Sequence, residues 1–237
     1  MSTQIKREPD LLQAWSLREL NDRVEHLHGR DQAQKTATCA QSVCKRQDYM
    51  KYHYCEVERL IGAQLKETNS DDILTNYVFP KNTPEYHEFH SRRTEAEANL
   101  IAFLQCIHAT EDTLAHVVYF ALNLNQLKPS RISIKAVCEL LTPSPLQAEI
   151  SAMLNNAELR HVAALVNHSK HRSVVGAAIS VSFIEDEQSH GLKFEGFTYR
   201  EHCYPQRWAI PFMKTSFDAM QEHMLRIGKA LNAQLAI

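Results

Sequence analysis

The stretch EANLIAFLQCIHATEDTLAHVVYFALNL, Glu97 to Leu124, decides the fold class. Leu100, Phe103, Ile107, Leu114, Val117, Ala121 and Leu124 recur at helical spacing, with Thr110 filling the one gap. That interval places them on one face of an α-helix. No Lys or Arg lies between Arg93 and Lys128. A helix so apolar and so poor in cations is expected to be central and covered on most sides. The pattern predicts one helix from about Pro84 to Leu127.

Upstream the helical signal continues. Residues 10–79 contain no Pro, and the whole chain has only 6 Gly, which favours long helices. A helix is expected from Pro9, carrying Leu11, Leu12, Trp15 and Leu20, with Gly29 breaking it. A second should run from about Asp31 to Leu65, with Val43, Met50, Tyr54, Val57 and Ile61 at helical intervals. Residues 1–8 are polar and expected to be frayed. Residues 67–89 hold the turn chemistry of ETNSDD and FPKNTP. A loop of that length is often functional or partly helical.

Downstream, PSRISIKAVCELL reads as a short helix. TPSPLQAE then starts another, with Ser144 as N-cap, Pro145 at the first helical position and Gln147 three residues after the cap. This helix is expected to reach His171, with Leu154, Val162, Leu165 and Val166 on its apolar face. The period then changes. Ile179, Val181 and Phe183 alternate with serines, and Leu192 and Phe194 alternate with Lys193 and Glu195. EDEQSHG between them reads as a hairpin loop. After Gly196 the alternation resumes out of phase at Phe197 and Tyr199, which suggests a bulge. A last helix follows from Pro211 to Leu235. The expected fold is mainly α: an antiparallel helical bundle, one domain over residues 1–237, with a small β-hairpin at 174–204 before the C-terminal helix.

The 237 residues are 44% hydrophobic, enough for a sizeable core, and the formal net charge of −2 excludes a bulk polyanion binder. Any nucleic-acid contact must use a local patch. The 6 Cys form no CxxC pair. With no signal peptide and no long apolar run in view, the chain reads as cytoplasmic and not membrane-bound.

There are 13 His, and two polar stripes contain several of them. On a single 145–171 helix, Glu149, Asn156, Arg160, Asn167 and His171 fall within about 40° of one line. One reading is a solvated face whose end, with Lys170, His171 and Arg172, complements the helix dipole. The other is a site. Arg160 would hold a phosphate by paired hydrogen bonds and His171 would move a proton, with Asn167 beside them. That set suits metal-free RNA cleavage through the 2′-hydroxyl. On the central helix, His108, Asp112 and His116 stand four apart. They read as an exposed edge, a buried hydrogen-bonded network, or a divalent-metal site. His87 and His90 read as surface residues. Arg46/His53 and Arg23/His28 are pairs that chance supplies easily. No phosphate loop, GxSxG or zinc spacing occurs.

Two stretches carry a resemblance. The segment Glu97–Leu124 resembles the long helix of HEPN-like bacterial proteins. LRHVAALVNHSKHRSVV, Leu159 to Val175, resembles their helix ending in Asn-x-x-Lys-His-Arg before a hairpin and a last helix. The similarity covers about residues 90–237. It implies an all-α bundle, often a homodimer, with no cofactor. Many such proteins are metal-independent endoribonucleases of toxin and defence systems, whose activity is tied to a motif such as Arg-Asn-x-x-x-His. Here Arg160 and His171 are more widely spaced. Members without that motif are noncatalytic binding or regulatory modules, and the resemblance implies RNA or a nucleotide as partner. Both classes, module and ribonuclease, stand as expectations. In the first, Lys170, Arg172 and His168 bind; in the second, His171, Arg160 and Asn167 act.

Overall fold

The computed structural model describes residues 14–62, 65, 70–79, 82–182 and 190–236. The expected helix start at Pro9 and the frayed 1–8 lie outside these residues. So do Phe183 and most of the EDEQSHG loop. Eight α-helices are present among the described residues, with short antiparallel strands just before the last of them. The chain is mainly α. It divides into two compact units, each assembled from separate stretches of sequence.

The first unit takes the chain up to Cys44, then Thr110–Asn156 and Asp218–Ile237. Helix α1 (Leu17–His28) starts where Ser16 accepts a hydrogen bond from the Glu19 amide at 3.2 Å, a side-chain N-cap. It stops at Gly29, whose φ of 84° an L side chain rarely adopts. Helix α2 (Arg30–Val57) follows at once, and its first half brings Ala33, Ala40 and Val43 into the core. A latch joins Trp15 to the far end of the chain. The Trp15 indole N–H donates to Asn232 Oδ1 at 3.3 Å, and Asn232 Nδ2 donates to the Ser16 carbonyl at 3.0 Å and to Glu19 at 3.1 Å. Arg23 pairs with Glu19 at 2.5 Å and donates to the Asn232 carbonyl.

The second unit comprises Lys45–Ala109 and Ala157–Phe217. Here α2 ends in a π-helical turn, Glu58–Gly62, which buries Leu60 and Ile61. The expected irregular loop is partly helical: α3 (Ser70–Ile73) runs into a second π turn, Leu74–Val78. Helix α4 (Pro84–Ala121) is the long helix that the Leu100–Leu124 spacing predicts. Its first half buries Phe89, Leu100, Phe103, Leu104 and Ile107 in this unit, and its second half buries Leu114, Val117 and Val118 in the first. It ends six residues short of Leu127. Asn123 turns out of it at a φ of 50°, and the Tyr119 hydroxyl holds both the N–H and the carbonyl of Leu127.

Two expectations need correction. The 145–171 segment is not one helix. After α5 (Ile134–Leu140), Ser144 caps α6 (Pro145–Asn155) as the motif requires, and α7 (Ala157–His171) is separate. The residue between them, Asn156, is extended at φ −65° and ψ 125°, and its amide donates to His223 at 3.2 Å. The wheel alignment of Glu149 with Arg160 therefore does not hold. Nor is there a bulge after Gly196. Strands β1 (Ala177–Val181) and β2 (His190–Phe194) pair antiparallel, with Ile179 opposite Leu192, and β5 (Arg207–Trp208) extends that sheet. Strands β3 (Phe197–Tyr199) and β4 (His202–Tyr204) form a second sheet of their own. The phase change thus marks a change of sheet. Helix α8 (Ala209–Gln234) closes the described chain.

Candidate functional site

Helix α7 presents Arg160, Ala163, Ala164 and Asn167 at positions i, i+3, i+4 and i+7, which is one face. The two alanines leave room above the helix, and the β3–β4 hairpin closes over that space. The result is an open groove of about 320 Å³. Its polar and aromatic lining is Arg160, Asn167, Tyr199, Arg200, His202 and Tyr204, with no Asp or Glu.

Aromatic packing holds the hairpin in place. Tyr204 stacks on Phe197, and Phe197 lies against His168 at 5.3 Å and His161 at 5.7 Å. His161 is 4% exposed and is ringed by Phe194, Phe197, Tyr204 and Phe212. Burial, helped by the Arg207 charge, pushes its pKa from the ordinary 6.5 down to about 4. It is therefore a neutral ring at pH 7, part of the wall that supports the site. Beneath, Arg207 is neutralised by the Glu158 carboxylate at 3.0 and 3.3 Å, to which Thr215 also donates.

The turn that joins β3 to β4 contains only Arg200 and Glu201, with φ of 47° and 67°. Positive φ at both central residues is the signature of a type I′ hairpin turn, which Asn and Gly normally fill. Placing Arg and Glu there costs of the order of a kcal/mol per residue. The turn places Arg200 in the groove lining. Its guanidinium carbon sits 5.3 Å from the Tyr199 ring centroid, and that of Arg172 sits 5.5 Å from the same ring. One tyrosine thus carries two guanidinium groups within cation–π range.

The structure brings Arg160 and Asn167 into one groove and leaves His171 out of its lining. The latter is exposed on the last residue of α7. Eleven positions on a helix amount to about 16 Å of rise between Arg160 and His171. The histidine that the groove does contain is His202. At the helix end, His168 donates through Nδ1 to the Ser173 carbonyl at 2.9 Å, closing the last turn. Lys170 and Arg172 are exposed beside it, near the negative end of the helix dipole.

Other candidates are committed elsewhere. His116 donates through Nδ1 to the carbonyl of Asp112 at 2.7 Å, and Asp112 is exposed. Among the described residues no set of three or more His, Cys, Asp or Glu could hold a metal ion. His53 bonds Asn99 at 2.8 Å, His90 bonds Tyr86 at 2.6 Å and His87 bonds Asn82 at 3.1 Å. Arg23 belongs to the Asn232 latch. No sequence motif singles out Tyr199, Arg200, His202 or Tyr204 as site residues. The signal was present in FTYREHCY, where aromatic and basic residues interleave, but no Gly or Asn announced the turn.

Among the described residues no helix is long and apolar enough to cross a membrane. No protein-family model, no curated protein and no solved structure matches the chain.

Proposed function

We propose that the chain is a noncatalytic, HEPN-like binding module for single-stranded RNA or a nucleotide, and that the α7/β3–β4 groove is its binding site. The observation that carries this reading is the lining: two arginines, a histidine, two tyrosines and an asparagine, with no carboxylate. On a chain with a formal net charge of −2, such a local surplus of cations suits a phosphodiester. Tyrosine and guanidinium planes suit unpaired bases, which every single strand offers regardless of sequence. Lys170 and Arg172, exposed at the end of α7, add two further cations, and the Arg172 guanidinium lies 5.5 Å from the Tyr199 ring centroid. The test is fluorescence anisotropy of a labelled single-stranded RNA with wild type, Arg160→Ala and Arg200→Ala.

One observation favours a second reading as a metal-independent endoribonuclease. The groove holds an arginine and a histidine, Arg160 and His202, as charge stabiliser and proton carrier for attack by a 2′-hydroxyl. Under that reading His202→Ala, and not His171→Ala, abolishes RNA cleavage in excess chelator. Six cysteines with no disulfide between them fit a reducing compartment such as the cytoplasm. The resemblance adds the proposal of a homodimer, which sedimentation equilibrium checks.

A further inference from the structure

The site's one side-chain amide has a fixed orientation. Asn167 Nδ2 lies 2.8 Å from the Ala163 carbonyl. A carbonyl oxygen only accepts, so the nitrogen of the amide must face it. Oδ1 is then left as the acceptor that Asn167 offers. Around it, Arg160 and Arg200 are donors without acceptor capacity. Asn167 therefore adds an oxygen that only accepts, beside the Tyr199 and Tyr204 hydroxyls and the His202 ring, which can donate or accept.

When Asn reads a base edge it does so with both ends, Oδ1 accepting and Nδ2 donating. Here one of the two Nδ2 protons is already tied to the helix, which holds the amide in place with Oδ1 as its acceptor. The donor present at every position of an RNA strand, whatever its sequence, is the ribose 2′-hydroxyl, and DNA lacks it. The geometry points to Asn167 as a sugar-discriminating residue: its Oδ1 accepts from a ribose 2′-hydroxyl, so the groove selects ribonucleotides over deoxyribonucleotides. This rests on the reading of the groove as a nucleic-acid site, and it names what that site distinguishes. The phosphates would lie toward Arg160, two helical turns or about 10 Å along α7.

The experiment compares three labelled single strands of one mixed sequence: RNA, DNA with uracil in place of thymine, and 2′-O-methyl RNA, which keeps the oxygen and loses the donor. Wild type is expected to bind RNA about three- to tenfold more tightly than the other two, the worth of one hydrogen bond. Asn167→Ala should equalise all three by weakening RNA alone, with its melting temperature checked beside wild type. Equal wild-type affinity for RNA and DNA overturns sugar discrimination while leaving the nucleic-acid reading in place. A wild-type preference for RNA that persists in Asn167→Ala overturns the assignment to this residue. Absence of binding to every strand removes the underlying reading as well.

Discussion

Tyr204 lies on Phe197 as a parallel stack, with ring centroids 5.0 Å apart and planes inclined by 12°. Tyr204 lines the groove and Phe197 rests against α7 through His168 and His161. The stack thus transmits the position of a buried wall to an exposed surface. Phe197→Ala is expected to cost about 3 kcal/mol at most, since Phe197 is only half-buried. Affinity for single-stranded RNA should fall in parallel with loss of hairpin order. Amide exchange of residues 197–204 beside an RNA titration checks both. Unchanged affinity in a variant with a loosened hairpin would separate the hairpin from the site.

The strained turn gives a prediction of opposite signs. Replacing Arg200 with Asn and Glu201 with Gly supplies the residues that positive φ favours. The double variant should gain about 1–2 kcal/mol of stability. It should also lose RNA affinity, with the salt dependence reduced by about one phosphate contact. Urea midpoints and anisotropy at several salt concentrations measure the two effects. A stabilised variant with undiminished binding would show that Arg200 serves the turn and not the ligand.

His161 sets a pH dependence. Its folded pKa of about 4 lies below the ordinary 6.5, so the folded state binds fewer protons than the unfolded chain between those values. Stability is complete above pH 6.5 and falls as pH drops through that window, by up to about 3 kcal/mol from this residue. Below pH 4 the contribution is spent. His161→Phe keeps the aromatic volume and should remove this part of the slope. Urea midpoints at pH 7, 5.5 and 4 provide the comparison, and equal slopes for the two proteins would contradict the assignment.

Gly228 tests the latch of the first unit. A Cβ built there would run into the Trp15 indole. Gly228→Ala improves helix propensity by about 1 kcal/mol, yet should destabilise by about 1–3 kcal/mol net through overpacking. Ser16 and Glu19 would lose Asn232 if the indole is displaced. Denaturation followed by tryptophan fluorescence reads this directly. A more stable variant would mean that the indole has room to move.

Much of the fold is legible from periodicity and caps, and the particular residues show why. The spacing from Leu100 to Leu124 is a local property, and so are the Ser144 cap with Pro145 behind it and the glycine at 29. The break at Asn156 is not local. No Gly or Pro marks it, and its amide reaches His223, distant in sequence. The site was half legible for the same reason. Arg160 and Asn167 share a helix face that a wheel displays. Tyr199, Arg200, His202 and Tyr204 join them only because a second sheet folds over two alanines, and the turn that does so uses residues that disguise it. His171 looked suitable by residue type, but its position along α7 places it beyond the groove.

The most direct test of the central claim is a salt-dependent RNA titration of wild type beside Arg160→Ala with a matched melting temperature. The account predicts measurable binding by wild type that weakens steeply with salt. For the variant it predicts weaker binding and a salt slope lower by about one. Binding of equal strength and equal slope in both proteins, or none by wild type at low salt, would contradict the assignment of this groove.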